Sequence, residues 1–360
     1  MTDGMAGVMD EPAEVRNGEE LDAARIQEFV NALCPEIAGD ITVRQFPGGY
    51  SNLTYLVKIG ERELILRRPP FGKKAKSAHD MAREYRVLAS LKPVFPYCPE
   101  PLVYSEDESI IGAPFYLMER IKGIILRKNL PADMAFTPGQ ARSLSENLVS
   151  VLCRLHSIDY RRAGLDDLGN ADGYITRQVE GWSKRYADAK TDDAPSFERV
   201  IRWLLDKMPE SSPSAAIIHN DYKFDNTVLN SSKPTEIVGL LDWEMATIGD
   251  PLMDLGSSLA YWVERDDPPA LKAIRTMPTN LDGMLTRKEQ VALYADIRGM
   301  KVDNFDFYYC FGLFRLAGIA QQIYYRYYHG QTRDPRFKNL IAAVNVLEQA
   351  SLLVMGKSEL

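Results

Sequence analysis

The stretch IIHNDYKFDNTVLN, residues 217–230, brings His219, Asp221, Lys223 and Asn226 close together between two apolar runs. Asp221 is a side chain that can accept a proton from an attacking hydroxyl. Lys223 can reach a phosphoryl group in transfer and offset the charge that develops on it. Asn226 adds an amide oxygen. A short strand, a turn at NSSKPTE and a second strand, IVGLL, then lead to Asp242. An Asp and an amide oxygen joined by a hairpin are hard oxygen ligands, and Mg²⁺ carried on substrate phosphates takes only one or two of these from a protein. A plain polar hairpin whose Asp and Asn cap turns is the competing description.

The order His-x-Asp-x-x-x-x-Asn, followed by an Asp at a strand end, is also the layout of the protein-kinase catalytic loop. The N-terminal half can be compared with the same template. FPGGYSNLTYLV places Gly48, Gly49, Ser51 and Asn52 in a strand–turn–strand, where glycines let backbone N–H groups approach phosphate. An ordinary hairpin turn would look the same. ELILRR ends in Arg67 and Arg68, and alternation puts Ile65 and Arg67 on one face with Leu64, Leu66 and Arg68 on the other. Ile65 and Arg67 are thus expected to face a nucleotide, with Glu84 on the next helix as the acidic partner of Arg67. Arginine here replaces the usual lysine; it keeps the charge and can bind two oxygens at once, but it is bulkier. A solvated strand end is the alternative for both arginines.

These residues need elements to hold them. LDAARIQEFVNALCP has helical spacing, and three strands are expected at ITVRQF, NLTYLVKI and ELILR. A helix at AHDMAREYRVLASL and two more strands, PLVYSE and APFYLMERI, complete a small antiparallel sheet with one inserted helix. From Gly123 the periodicity becomes helical. Thr137-Pro138 with Gln140 marks a helix start. Further helices are expected at 172–190, 195–208, 251–263, 287–299, 304–329 and 335–354, interrupted by short strands near 216–218, 227–230 and 236–241.

At this point the chain resembles the aminoglycoside phosphotransferase/choline kinase-like family, over about residues 22–355. The most specific part is HNDYKFDN…LLDWEMATIGDPLMDLG. GGYSNLTY, LRRPP and WEMATIGDP look closest to the kinase-like domains found beside, or fused to, acyl-CoA dehydrogenases. The resemblance implies an α+β, protein-kinase-like bilobal fold. Composition marks residues 1–20 as an acidic mobile tail, and the change in periodicity divides the rest into a β-rich N-lobe (21–119) and a larger, mainly helical C-lobe (120–360). The resemblance also implies Asp221 as catalytic base, Asn226 and Asp242 as Mg²⁺ ligands, and Arg67 with Glu84 as the phosphate-positioning pair of an ATP- and Mg²⁺-dependent kinase. Met118 to Ile121 would pass the adenine, with backbone groups near Glu119 and Ile121 on its edge. Asp254 would brace the catalytic loop, and His219 would orient it. Lys223 stands where antibiotic kinases usually have His.

The acceptor is expected to be a hydroxyl of a small molecule. A hydroxyacyl-CoA suits the subgroup, and choline-, ethanolamine- or aminoglycoside-type acceptors are alternatives. A pseudokinase acting as a nucleotide-binding module is the alternative of another class. Most aromatics of the helix 304–329 are expected to be core, because a helix apolar all round is normally buried. Some of Phe305, Phe307, Tyr308, Phe311, Phe314 and Tyr324, with Arg315 and Arg326 among them, are expected to form an apolar wall for such an acceptor. Glu264, Asp266 and Asp267 are expected to face solvent. RRPPFGKKAK is a cationic loop, either solvated or set against the phosphates of a nucleotide or CoA.

A 360-residue chain with 45% hydrophobic and 26% charged residues has an ordinary globular composition and room for two lobes. Its net charge of −7 argues against a nucleic-acid partner. The four cysteines lack metal or disulfide spacing. No run of about 18 apolar residues suggests a membrane span. The acidic N-terminus lacks the apolar core of a secretory signal, so the cytoplasm is the expected compartment.

Overall fold

The computed structural model describes residues 11–46, 52–71, 80–209 and 215–360. Gly48, Gly49 and Ser51, and most of the cationic loop after Arg68, lie outside the described residues. The chain divides into two compact units: Met1–Ile125 with Thr227–Glu244, and Leu126–Asn226 with Met245–Leu360.

The first unit is built on an antiparallel sheet in the order β1-β2-β3-β5-β4. Its strands are β1 Ile41–Gln45, β2 Leu53–Ile59, β3 Arg62–Arg68, β4 Pro101–Ser105 and β5 Phe115–Glu119. The helices are α1 Ala23–Leu33, α2 Met81–Leu91 and α3 Glu108–Ile111. Each helix starts at an Asp whose carboxylate accepts a backbone N–H of the first turn: Asp22, Asp80 and Asp107. Strand alternation sorts the two faces of the sheet. Tyr55, Val57, Leu64, Leu66, Phe115 and Leu117 turn to a core closed by Ile26 and Val30 of α1. The register opposes Ile65 to Leu56 and Met118, and Arg67 to Thr54 and Tyr116, on the other face.

Two boundaries differ from expectation. Residues 11–20 were expected as mobile tail, yet Ala13 exchanges backbone hydrogen bonds with Gln45. The Gln45 side chain accepts from the Arg16 N–H and donates to Glu19, and the Tyr55 hydroxyl donates to the Glu19 carbonyl. The edge of β1 supplies the pairing that local composition could not reveal. The second difference is the hairpin of β7 (Thr227–Leu229) and β8 (Ile237–Leu240), which packs with the first unit rather than with the helical part. Ile124 bridges Leu229, the Leu240 N–H donates to Tyr97 O, and Trp243 meets Phe95 edge-on.

The second unit is helical: α4 Pro138–His156, α5 Tyr174–Asp188, α6 Glu198–Asp206, α7 Pro251–Ala260, α8 Pro269–Ala273, α9 Arg287–Arg298, α10 Phe305–Tyr328 and α11 Leu340–Lys357. Two strands, β6 Ala216–Ile218 and β9 Thr247–Gly249, pair antiparallel. Capping boxes at Thr137/Gln140 and Thr286/Glu289 start α4 and α9. The aromatic helix α10 is the hub and packs against α5, α6, α7 and α11. Its Phe307, Tyr308, Phe311 and Phe314 are buried, Phe314 in a cluster with Tyr186 and Phe197, so these rings are core and do not form an open acceptor wall. Packing on several sides demands an apolar surface all round. Pro335–Lys357 is long and apolar enough, by length and composition, to cross a membrane. In the fold, Val344, Leu347, Ala350 and Ser351 of this stretch are buried, and α11 packs on α10.

The α7–α10 crossing depends on two glycines. A Cβ on Gly312 would stand 2.2 Å from the Gly256 carbonyl oxygen, and one on Gly256 would stand 2.3 Å from Tyr308 O. Backbone on both sides leaves nothing flexible to yield. Gly312→Ala is therefore expected to destabilise the protein by about 1–3 kcal/mol. Denaturant unfolding measures this, and a stability equal to wild type would contradict so close an approach.

Candidate active site

Each unit gathers one group of the expected residues. In the second unit the strand β6 leads into the loop His219–Asn226, which ends in a 3₁₀ turn, Phe224–Asn226. Lys223 Nζ donates to both oxygens of Asp221, at 2.8 and 2.9 Å. The Asn226 amide nitrogen donates to the Asp221 Oδ2 at 2.8 Å and to its carbonyl at 2.9 Å. That orientation leaves the Asn226 oxygen as the end of the side chain suited to a cation. Burial alone would raise the Asp221 carboxyl, but Lys223, His219 and Arg315 outweigh it and hold the group below the usual Asp value. Burial works against the Lys223 charge, and the neighbouring carboxylates keep it protonated.

The loop is held from beneath by Asp254 on α7. Asp254 is fully buried and accepts the His219 N–H at 2.8 Å and the Asn220 N–H at 2.7 Å. His156, at the end of α4, lies 3.1 Å from Asp254 through Nε2 and 2.7 Å from the Tyr294 hydroxyl through Nδ1. A carboxylate only accepts, so Nε2 donates to Asp254. The Asp221 N–H donates to His219 Nδ1 at 3.3 Å, the backbone-orienting contact expected of His219. Asp250 caps α7 by accepting from Leu252 N and Met253 N.

Asn220 was not singled out from the sequence, yet its backbone and its side chain are both held. Its φ is +64°, a left-handed conformation that Asn tolerates better than most side chains. Its carbonyl accepts from Arg315 at 2.7 Å. Its amide accepts from the Tyr174 hydroxyl at 3.2 Å and donates to Met245 O at 3.0 Å. Arg315, expected on an acceptor wall, is thus committed to the loop backbone.

In the first unit the second group surrounds Arg67. Its Nε stands 3.4 Å from Glu84, and its Nη2 is 3.2 Å from Asp242 and 3.6 Å from Glu244. Glu244 also accepts from Asn52 at 2.8 Å. Arg67 and Glu84 are buried, so the expected pair forms inside the protein and not at a solvated strand end. Arg68, on the other face, donates to Pro69 O and Ile111 O and lies over Phe71. Burial pushes the Glu84 carboxyl up, against the pull of Arg67. Asp242 has φ +66°, a left-handed conformation uncommon outside glycine. Glu244 and Asn52 tie this turn to the sheet, and Glu244 was not foreseen.

Three carboxylates around one guanidinium leave excess negative charge, for which a divalent cation is a natural counter-charge. Among the described residues no cluster of three or more His, Cys, Asp or Glu forms a ready metal cage. Ile65, Met118 and Leu56 lie side by side as an apolar floor on the Arg67 face. At the expected adenine edge the Glu119 and Arg120 N–H groups are committed to Glu100 O and Glu63 O. The Ile121 side chain is close to Gly239. Glu264 and Asp267, expected in solvent, instead clasp Arg287, and Asp267 is buried; only Asp266 is exposed.

Burial opposes the Asp254 charge, but His156 and the backbone donors outweigh it and lower its carboxyl below the ordinary 3.8. A depressed folded value means that its contribution is fully present above the unfolded value and is lost as pH falls through the folded one. Asp254→Asn should therefore lose most stability relative to wild type near pH 7, with the gap narrowing below about pH 4. Melting temperatures at pH 7 and pH 3 read this directly. A gap that widens in acid would show that Asp254 is not held as an anion.

The phosphotransferase enzyme family (APH) model matches residues 42–287. The chain is 37% identical over 295 residues to acyl-CoA dehydrogenase family member 10 of Mus musculus, covering 81% of this chain and 27% of that protein. It thus spans little more than a quarter of the length of this curated relative. The crystal structure of a candidate aminoglycoside phosphotransferase from Ralstonia eutropha aligns with TM-score 0.78 at 26% identity, over 93% of this chain and 99% of that one. A GDP complex of aminoglycoside 2′-phosphotransferase-IIIa shares the fold, with TM-score 0.60 at 16% identity over 92% and 99% of the two chains. With a kinase-like α+β fold and a family model that spans both groups of residues, the chain belongs to the phosphotransferase enzyme family.

Proposed function

We propose that the protein is an ATP- and Mg²⁺-dependent kinase that transfers the γ-phosphate to a hydroxyl of a small molecule. The observation that carries this assignment is Asp221, an ionised, half-buried carboxylate fixed by Lys223 and Asn226. In the proposed reaction Asp221 takes the proton of the acceptor hydroxyl as its oxygen bonds to phosphorus and the bond to the ADP leaving group breaks. Lys223 offsets charge on the phosphoryl group. Arg67, held by Glu84, contacts phosphate, and Ile65, Met118, Glu119 and Ile121 with Gly48, Gly49, Ser51 and Asn52 bind the nucleotide. Asn226 and Asp242 would hold Mg²⁺, which neutralises phosphate charge when bound. Both groups are complete in their chemistry, which favours an enzyme over a pseudokinase.

For the acceptor, a hydroxyacyl-CoA is the proposed class. Its support is the likeness to a protein named as an acyl-CoA dehydrogenase family member. The cations near the base add to it: Lys223 and Arg315 both act on Asp221, which disfavours a polycationic aminoglycoside. A transfer screen with Mg·ATP across hydroxyacyl-CoA, amino-alcohol and aminoglycoside acceptors tests this. Efficient transfer to an aminoglycoside and none to any hydroxyacyl thioester would overturn the acceptor class and leave the kinase assignment standing.

Asp221→Asn is expected to keep the fold and Mg·ATP binding while kcat falls roughly 10²-fold or more. A near-wild-type kcat would show that another group takes the proton. Asp242→Ala should instead weaken the Mg²⁺ dependence of nucleotide binding, because a ligand of the ion is gone. Titration of Mg²⁺ against a fluorescent ATP analogue measures it, and an unchanged dependence would assign the ion to another carboxylate.

A further inference from the structure

Helix α7 meets the catalytic loop at both ends. Its first turn supplies Asp254; its C-cap residue, Tyr261, lies with its ring centroid 4.8 Å from Lys223 Nζ. The ring is fixed by its neighbours. Trp262, the next residue, is buried, donates its indole N–H to Leu285 O at 2.9 Å and packs on Phe224 at 5.5 Å between ring centroids. Phe224 directly follows Lys223. One buried contact, a residue further along each chain segment, therefore sets both the phenol ring and the ammonium group.

Lys223 faces two carboxylates. Its Nζ bonds both oxygens of Asp221 and stands 3.8 Å from Asp225 Oδ1. A lysine has a flexible four-carbon stem and a point charge, so attraction to two anions does not by itself choose one location. An aromatic face supplies a further attractive wall for the ammonium and narrows its range.

We propose that Tyr261 is a positioning residue for phosphoryl transfer: its ring holds the Lys223 ammonium beside Asp221, so that the cation does not drift toward Asp225. The proposal rests on the kinase assignment above. It explains why an ammonium group on a long stem, partly open to solvent, takes one bidentate position on the base. Burial raises the Tyr261 hydroxyl, so the ring acts as a neutral aromatic surface.

The test separates the ring from its hydroxyl. Mg·ATP hydrolysis, with water as the phosphoryl acceptor, is measured for wild type, Tyr261→Phe and Tyr261→Leu. The Phe variant should stay within about 2-fold of wild-type kcat, and the Leu variant should fall about 5–10-fold with the KM for Mg·ATP unchanged. In a Lys223→Met background Tyr261→Leu should cost nothing further, because the ring acts through the lysine. Losses that simply add, or equal losses for Phe and Leu, would overturn the proposal. A second measurement needs no turnover: the acetylation rate of Lys223 by acetic anhydride, followed by mass spectrometry, should rise in the Leu variant and not in the Phe variant. Identical labelling in all three proteins would also overturn it. No phosphoryl transfer from Mg·ATP by wild type, to water or to any acceptor of the transfer screen, with labelling that still depends on the ring, would instead overturn the kinase assignment and with it the catalytic role of the pinned lysine.

Discussion

The buried carboxylate of Asp254 is the constraint on which the catalytic loop depends. It accepts two consecutive backbone N–H groups, His219 and Asn220, and a third donor from His156. A buried carboxylate without donors is costly, so the anion and the loop hold each other. Asn220 is thereby kept in its left-handed conformation, and the next residue, Asp221, is turned to face Lys223 and Asn226. The glycine contact between α7 and α10 extends this support, because α10 brings Arg315 to the Asn220 carbonyl. Fold and chemistry meet in one helix.

The first unit applies a related principle with the charges reversed. One buried guanidinium, Arg67, is shared by Glu84, Asp242 and Glu244. Removing it would take the ionic partner from the buried Glu84, which is far more costly than losing a surface pair. Arginine can serve several carboxylates at once where lysine offers a point charge, and this gives a physical reason for its place on β3. Among the described residues, non-glycine positive φ angles are few, and two of them, at Asn220 and Asp242, fall beside these charged groups. Such conformations persist where the surroundings over-determine the backbone.

Much of this was legible in the chain. Short-range chemistry was clear: Asp221, Lys223 and Asn226 come together within one loop, and the capping boxes at Thr137 and Thr286 start their helices. Strand alternation separated Arg67 from Arg68 correctly, and the acid on α2 meets Arg67. What escaped were partners distant in sequence. Asn52 and Glu244 lie 192 positions apart, and no local pattern joins them. Glu11 to Glu20 have the composition of a tail, but the free edge of β1 holds them. The all-round apolar pattern of α10 marked most of its rings as core, but periodicity does not show which side stays open; α5, α7 and α11 all pack against it. The three-residue strand β9 is too short to have a period at all. Gly48, Gly49 and Ser51 fall outside the described residues, so their part stays with the proposed nucleotide site.

The central claim is that a buried anion, Asp254, holds the backbone that presents the proposed base, Asp221. Amide hydrogen exchange at His219 and Asn220 in the wild-type protein tests it most directly. If Asp254 grips both N–H groups, they should exchange only through large-scale opening, as slowly as amides in the middle of α7. Exchange at both positions as fast as in an exposed loop would contradict the account.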